Sequence, residues 1–353
     1  SRKRHDRDAA RDASMVKVIV DEQALLALCA ERFVACGVAD EDAASTARVL
    51  VLAEMMGIAT HGVGRVATYC TRLQGGGVKA AAEPVVKRVA PALLHVDGDN
   101  GLGPAVAMRA LAAVMETARE TGIAAAFLHH SNHFGAAAPY CLIAAESGLA
   151  TVLMSNSTPL MAPTGGAEPS VGNNPIGFGF PGPDELPLVI DFSMSAVARS
   201  RIRDAARRGE AIPEGWAIDA GGQPLTDAAT AMKGMLLPMG GHKGYGLAIA
   251  IDMLAGVLSG AAFLSQVPDL EREPAARQNL GQAFIAINAA KLMTPGELAD
   301  RTTKFMDMIG RTRSADPAHP VRFPGSRAMA NLKQARRDGV RVDRDTLEVL
   351  RRR

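Results

Sequence analysis

The chain has 353 residues, 48% hydrophobic and 22% charged, which is long enough for a large core in two lobes and outside the range of disordered or fibrous polypeptides. Lys and Arg total 39 against 37 Asp and Glu, and aromatics make up 4%, so the basic footprint and stacking platforms of a nucleic-acid binder are missing. Small molecules are the expected partners. Cys29, Cys36, Cys70 and Cys141 are scattered without a CxxC pair, a pattern that fits neither a disulfide scaffold nor a zinc site and suits a reducing cytoplasm.

Residues 1–14, dense in Arg and Asp with no apolar core, are not a secretory signal and are expected to form a disordered extension. Residues 21–56 read as two helices, the first capped by Asp21 and ended by Gly37, the second starting at Asp40. After Gly75-Gly76-Gly77, strands are expected at 84–89 and 92–97, a long Ala-rich helix at 104–121, a strand at 123–128, a helix at 136–147 and a strand at 150–155. The Gly- and Pro-rich stretch 156–187 reads as one long functional loop. A strand at 188–191, a helix at 196–209, an irregular connector at 212–226, a strand at 283–288 and a helix at 295–310 follow. The run 244–264 is apolar enough to resemble a membrane span, but the central Asp252 and the preceding His242-Lys243 make it a buried core helix, so no membrane partner is expected. The alternation implies an α/β core at 81–310, a helical lobe at 15–80 that packs with the C-terminal segment 311–353, and no internal repeat.

Chemistry concentrates in a few segments. In Thr60-His61-Gly62-Val63-Gly64-Arg65, a helical turn would put His61 and Arg65 on one face, pairing a proton donor with a fork suited to a carboxylate. A 2-keto or 2-hydroxy acid needs that pair, although such residues also serve as solvated or capping side chains. His129-His130-Ser131-Asn132-His133 ends a strand, where open sheets bind ligands, and His133 is a second acid–base candidate. A metal cluster there is not expected, because no carboxylate or cysteine lies close in sequence and His129 and His130 would face opposite ways along a strand. Ser155-Asn156-Ser157-Thr158 with Gly172-Asn173-Asn174-Pro175 offers hydroxyls and amides for a phosphate or ribose, as a plain loop also would. Asp191-Phe192-Ser193 ends a strand with a carboxylate and is equally an ordinary helix cap. Gly240-Gly241-His242-Lys243-Gly244-Tyr245-Gly246 carries a cation into a helix without P-loop spacing, and no strand-GxGxxG-helix fingerprint occurs, so any dinucleotide site is not a Rossmann one.

Together, Thr60-His61-Gly62-x-x-Arg65, Ser131-Asn132-His133, Asn156-Ser157-Thr158-Pro159, Pro163-x-Gly165-Gly166, Gly172-x-Asn174-Pro175, Ile212-Pro213-x-Gly215-Trp216 and the 240–246 turn resemble the malate/L-lactate dehydrogenase family. That group also includes sulfolactate and ureidoglycolate dehydrogenases, diketogulonate reductase and cyclic-imine 2-carboxylate reductases. The resemblance implies a three-layer α/β/α fold with a mixed sheet, a homodimer, and hydride transfer between NAD(P), with NAD favoured, and a small 2-hydroxy or 2-keto carboxylate such as malate or lactate. By position, His61 is similar to the proton donor named in some members and His133 to the proton acceptor named in others. Arg65, beside Thr60, is similar to the carboxylate-binding Arg. Ser157, Asp191, Phe192, Ser193, His242, Lys243 and Gly325 match cofactor contacts. Three positions depart from the pattern: Thr60 stands for the usual Ser, Asn173 for a frequent Thr, and Ser326 for a common Glu. The alternatives are a pyrroline- or piperideine-2-carboxylate reductase and, from another class, a nucleotide-binding relative that has lost catalysis.

Overall fold

The structure is a computed structural model and describes residues 16–183 and 187–352; the extension expected at 1–14 lies outside them. Strand β1 (Lys17–Val20) leads into α1 (Glu22–Val34), which begins where Asp21 accepts the Ala24 amide at 3.0 Å and ends before Gly37 at φ +84°. Helices α2 (Asp40–Met55) and α3 (Arg65–Gln74) follow, then β2 (Val85–Ala90), β3 (Leu93–Asp97), α4 (Gly103–Thr121), β4 (Ile123–Ser131), α5 (Ala138–Glu146) and β5 (Leu149–Ser155). Next come β6 (Pro159–Met161), β7 (Val171–Gly172), β8 (Ile176–Phe180), β9 (Leu188–Phe192), α6 (Arg199–Arg208), β10 (Ala217–Ile218), α7 (Ala228–Ala231), β11 (Met235–Leu236) and α8 (His242–Asp252). The chain closes with β12 (Leu280–Asn288), α9 (Pro295–Gly310), α10 (Ser326–Asp338), β13 (Val340–Asp343) and α11 (Arg344–Arg351).

Seven strands form a mixed sheet in the order β2-β3-β4-β12-β5-β8-β9, in which only β3 and β4 run parallel. Late-arriving β12 lies antiparallel between β4 and β5 and closes the centre. Its pleat divides the core, because successive side chains of a strand point to opposite faces. Phe284 and Ala286 join a cluster with residues of α2, α4 and α5, whereas Ala283 joins Met154, Ile202, Ala248 and Ile251 on the other side. The result is a sheet with helices on both faces, the second face also carrying a small sheet β10-β11-β6-β7. The first strand pairs with β13, residue by residue from Lys17 opposite Asp343 to Val20 opposite Val340, which brings the chain's two ends together beside α2 and α10.

Four expectations need correction. Stretch 156–187 is not one loop: β8 runs through it as an interior strand. Its Ile-Gly-Phe-Gly-Phe sequence reads as a breaker, yet the glycines are required by helix α5 pressing on the strand. A Cβ on Gly177 would come 2.6 Å from the Ala137 Cβ, and one on Gly179 2.5 Å from the Cys141 carbonyl. Strand β4 continues three residues past 128 to Ser131. The polar segment forming α10 carries no apolar run to announce it, and buries only Leu332 and Ala335. The 60–65 turn is treated below. The apolar run 244–264 is α8 continued by a π-helical turn, Met253–Val257, with Asp252 buried and accepting from Asn156 Nδ2 at 3.0 Å. No helix among the described residues is long and apolar enough to cross a membrane.

Candidate active site

Residues 60–65 do not form one helical turn. Ala59–His61 is a 3-10 turn, Gly62 is extended at φ −88° and ψ −152°, and Arg65 opens α3, so His61 and Arg65 are not neighbours on a helix face. They converge instead because the turn is pinned from beneath. Glu54 of α2 accepts the Val63 amide at 3.1 Å, and a Cβ on Gly62 would sit 2.0 Å from Glu54 Oε2. That approach explains Gly62 better than any need for a positive φ. Burial raises the Glu54 carboxyl to about 7, against a lowering pull from the Val63 amide and Lys17.

Above this turn, the His61 and His133 rings lie face to face with centroids 5.5 Å apart. Each ring is held at Nδ1, His61 by the Thr60 hydroxyl at 2.9 Å and His133 by the Tyr69 hydroxyl at 2.7 Å. Arg65 donates from Nε to the Thr60 carbonyl at 2.8 Å and from Nη1 to Glu271 at 3.0 Å. Burial, reinforced by the Arg65 charge, lowers His61 to about 4. The same two causes hold His133 well below its ordinary value, with His61 and Arg72 adding to them. Both imidazoles are therefore neutral at pH 7. Tyr69 is buried and its phenol is pushed up, so it remains protonated.

Sequence reasoning missed four residues here. Tyr69 lies four positions after Arg65 on α3, the helical spacing that could have revealed it. Arg72, 1% exposed, donates to Asn132 Oδ1 at 3.0 Å, Gln278 Oε1 at 2.8 Å and the Ala276 carbonyl at 2.7 Å. Gln278 also accepts the His133 amide at 3.1 Å. Glu271 and Gln278 come from a segment about 200 residues away in sequence, and no local pattern announces them.

Of the expected cofactor contacts, Ser157 and Ser193 lie near one another, the Met194 amide donating to the Asn173 carbonyl at 2.8 Å. Ser157 Oγ donates to Asn173 Oδ1 at 2.9 Å and accepts the Asn174 amide at 3.2 Å, while Asn174 Nδ2 donates to the Ala248 carbonyl of α8 at 2.8 Å. Gly240 and Gly241, at φ +58° and +63°, turn the chain into α8, whose first internal bond runs from the Tyr245 amide to the Gly241 carbonyl. The amides of His242, Lys243 and Gly244 precede that bond, and both His242 and Lys243 are exposed. Such an end fits an anion. Asp191 is occupied otherwise: its Oδ2 accepts the Ala138 amide at the start of α5 at 2.9 Å, and burial raises the carboxyl to about 6. Phe192 stacks on Phe178 at 6.5 Å and keeps 37% exposure, and Ser193 Oγ meets Ser195 Oγ at 3.0 Å. Gly325, at φ +81°, leads into α10 where a Cβ would lie 1.8 Å from the Val189 carbonyl, so close packing alone requires glycine there.

His129 and His130 overturn the argument that they face apart. His130 takes φ +49°, which breaks the strand alternation and brings the two rings to 4.2 Å. A carboxylate also arrives from the neighbouring strand, Asp97 Oδ1 lying 3.0 Å from His130 Nδ1.

A guanidinium beside two neutral imidazoles can hold an anion and exchange a proton, and the exposed amides at the start of α8 can hold a second anion. The chain belongs to the malate/L-lactate dehydrogenase family, whose profile matches residues 20–351, and is an NAD(P)-dependent dehydrogenase of 2-hydroxy acids. It is 35% identical over 317 residues to the malate/(S)-sulfolactate dehydrogenase of Methanothermus fervidus, covering 90% of this chain and 91% of that protein. It is 36% identical over 315 residues to the Delta(1)-pyrroline-2-carboxylate reductase of Ancylobacter novellus, covering 89% and 91%. The solved sulfolactate dehydrogenase of Methanocaldococcus jannaschii superposes with a TM-score of 0.87 at 33% identity, over 94% of this chain and 95% of that one.

The brace under the turn predicts a pH effect on stability. A carboxyl raised on folding keeps its proton in the native state where the unfolded chain has lost it, so stability falls as pH rises from about 4.5 to about 7. Glu54→Gln keeps the acceptor for Val63 without the charge. Its melting temperature should decline less than the wild type's across that window; parallel declines would show that Glu54 stays ionised.

Proposed function

We propose that the enzyme transfers a hydride between NAD(P) and a small 2-hydroxy or 2-keto carboxylate of the malate or lactate class, with Arg65 gripping the carboxylate. The observation that carries this reading is the Arg65 guanidinium set against two imidazoles that burial, reinforced by its charge, keeps neutral. Arg65 offers a planar fork that matches a carboxylate, and Glu271 occupies part of it until an anionic substrate replaces that exposed carboxylate. The helical lobe, expected at 15–80, thereby supplies the substrate anchor.

Binding of an anion offsets the Arg65 field, so the proton affinity of His61 and His133 rises once substrate is in place. The pair is the acid–base group, and two imidazoliums 5.5 Å apart would repel, so it holds one proton at a time. That proton goes to the substrate oxygen on reduction and is taken from the hydroxyl on oxidation. Tyr69 and Thr60 fix the two rings at Nδ1, leaving Nε2 of each for this exchange.

The amides at the start of α8, with His242, Lys243, Ser157 and Ser193, would hold the cofactor, and Phe192 offers an apolar face to it. When bound, the nicotinamide supplies or accepts the hydride at the substrate's second carbon. Asp191 and Gly325 are assigned to shaping this region, through α5 and the Val189 carbonyl. The four cysteines are unpaired thiols, in keeping with a reducing cytoplasm.

A cyclic-imine 2-carboxylate would use the same grip with a ring nitrogen in place of the oxygen, and the likeness to the pyrroline-2-carboxylate reductase keeps this second reading. Assays with oxaloacetate, pyruvate and pyrroline-2-carboxylate, each with NADH and NADPH, distinguish the two; nucleotide binding without turnover on any would instead indicate a relative that has lost catalysis.

Arg65→Lys keeps the charge and loses the fork. Loss of one charge-assisted hydrogen bond, about 1.5–3 kcal/mol, should raise KM for the keto acid roughly ten- to a hundredfold. An unchanged KM removes Arg65 from this role.

His61→Ala and His133→Ala are compared for turnover and its pH dependence. Loss of general acid–base catalysis is worth roughly a hundredfold or more in kcat. In wild type, kcat/KM for oxidation should hold from neutral pH downward and fail only as pH drops through the lowered imidazole values, near 4 if His61 is the base. Whichever variant keeps both rate and profile marks a ring that only lines the pocket, and two intact variants would overturn the assignment.

We also infer a homodimer. Helix α9 buries none of its residues and displays Phe305, Met308 and Ile309 together, an apolar face that a second copy would cover. Light scattering should give twice the chain mass of 36.9 kDa; a single-chain mass refutes it.

A further inference from the structure

We propose that Asp97, His129 and His130 form a binding site for one divalent transition-metal ion of borderline softness, Zn²⁺ being the probe of choice. Their ligand atoms already lie within 4.8 Å of one another. A tetrahedral zinc ion with bonds of about 2.0–2.1 Å brings its donors to roughly 3.3 Å, so closing the set needs only small side-chain rotations. Two imidazoles and one carboxylate suit Zn²⁺, Co²⁺ or Ni²⁺, whereas Mg²⁺ and Ca²⁺ ask for oxygen donors throughout.

The backbone is built to assemble the three. Asp97 ends β3 directly opposite His129 of the parallel strand β4, and the Gly98 and Asn100 amides donate to the His129 and His130 carbonyls at 2.9 and 2.8 Å. The left-handed conformation of His130 turns its ring back over the same face, and Asn279 Oδ1 fixes that conformation by accepting the His130 amide at 2.7 Å. A β-strand residue at this point would aim its imidazole to the far side.

A third imidazole, His95, stacks on His129 at 4.6 Å and donates from Nε2 to the Ser259 carbonyl at 2.8 Å, walling the site without joining it. Asp97 and His130 are each about half exposed, 45% and 49%, so an ion would enter from solvent and keep at least one water. No hydrogen bond or ring stacking among the described residues joins the three to His61 or His133. A bound ion would clamp the ends of β3 and β4 immediately before Asn132 and His133.

The test is equilibrium dialysis of the full chain against micromolar ZnCl2 with metal analysis, together with thermal melts in ZnCl2, in MgCl2 and in ZnCl2 with excess EDTA. The expected result is one zinc per chain, a melting temperature raised by about 2 °C or more by zinc alone, and reversal by EDTA. His130→Gln and Asp97→Asn change half-exposed side chains; each should weaken zinc roughly tenfold or more while kcat and KM in metal-free buffer stay at wild-type values. Co²⁺ gives an independent reading, since its visible absorption should report two nitrogen ligands in wild type and change in His130→Gln. No zinc bound at tens of micromolar free metal overturns the proposal. So does zinc held equally well by wild type and both variants.

Discussion

The fixed cation at Arg65 sets the electrostatics on which the rest of the pocket depends. A guanidinium cannot give up its proton at any relevant pH, so every titratable neighbour must adjust to it. His61 and His133 are neutral chiefly because burial desolvates them, and the Arg65 charge reinforces that state. In the empty pocket the Glu271 carboxylate balances the Arg65 charge, and a substrate carboxylate would take its place. The imidazoles are uncharged there, so they are ready to accept a proton and become good donors only when an anion is present. Binding and proton affinity are thereby coupled through one side chain, without any conformational change being required.

A second cation, Arg72, about two turns further along α3, has a structural task instead. It is buried without a carboxylate partner among the described residues, and its Nη1 and Nη2 donate to carbonyl oxygens of Asn132, Gln278, Gly77 and Ala276. Burial lowers it only to about 10, so it stays charged. Three distant stretches meet at this one guanidinium, and each touches the pocket: α3 carries Arg65 and Tyr69, the strand end carries His133, and the 276–278 segment supplies the acceptor for the His133 amide. Removing one partner of such a network leaves a buried charge unpaired, the costly direction.

Much of this was legible in the chain. Helix caps at Asp21 and Gly37, apolar strands bounded by glycines, and the helix at Pro295 are local signals with local causes, and the expected His61, Arg65 and His133 do come together. What local reading misjudged has a common physical origin, contact with something far away in sequence. Gly177 and Gly179 looked like loop residues because glycine's absence of a side chain serves helix α5, not a turn. His129 and His130 looked divergent because a positive φ in a histidine cannot be foreseen without Asn279 to hold it. The 60–65 turn looked helical because its brace, Glu54, belongs to the preceding helix.

The cradle proposed for the cofactor is fastened by side-chain amides, for an electrostatic reason. A phosphate-bearing ligand repels carboxylates, so a site for it must satisfy buried carbonyls and N–H groups without adding negative charge. Asn156 does this by donating to Asp252 and the Ala262 carbonyl while accepting the Gly281 amide at 3.0 Å, and Asn174 by donating to the Ala248 carbonyl. The one carboxyl in this set, Asp252, is buried and pushed upward in proton affinity, which reduces the negative charge it presents. With those bonds made by neutral groups, the positive end of α8 and the exposed Lys243 act on an anion with little opposition. In the proposed site an asparagine-held loop and a helix end would take the place of the glycine-rich Rossmann turn, on a sheet that is largely antiparallel where a Rossmann site demands parallel strands.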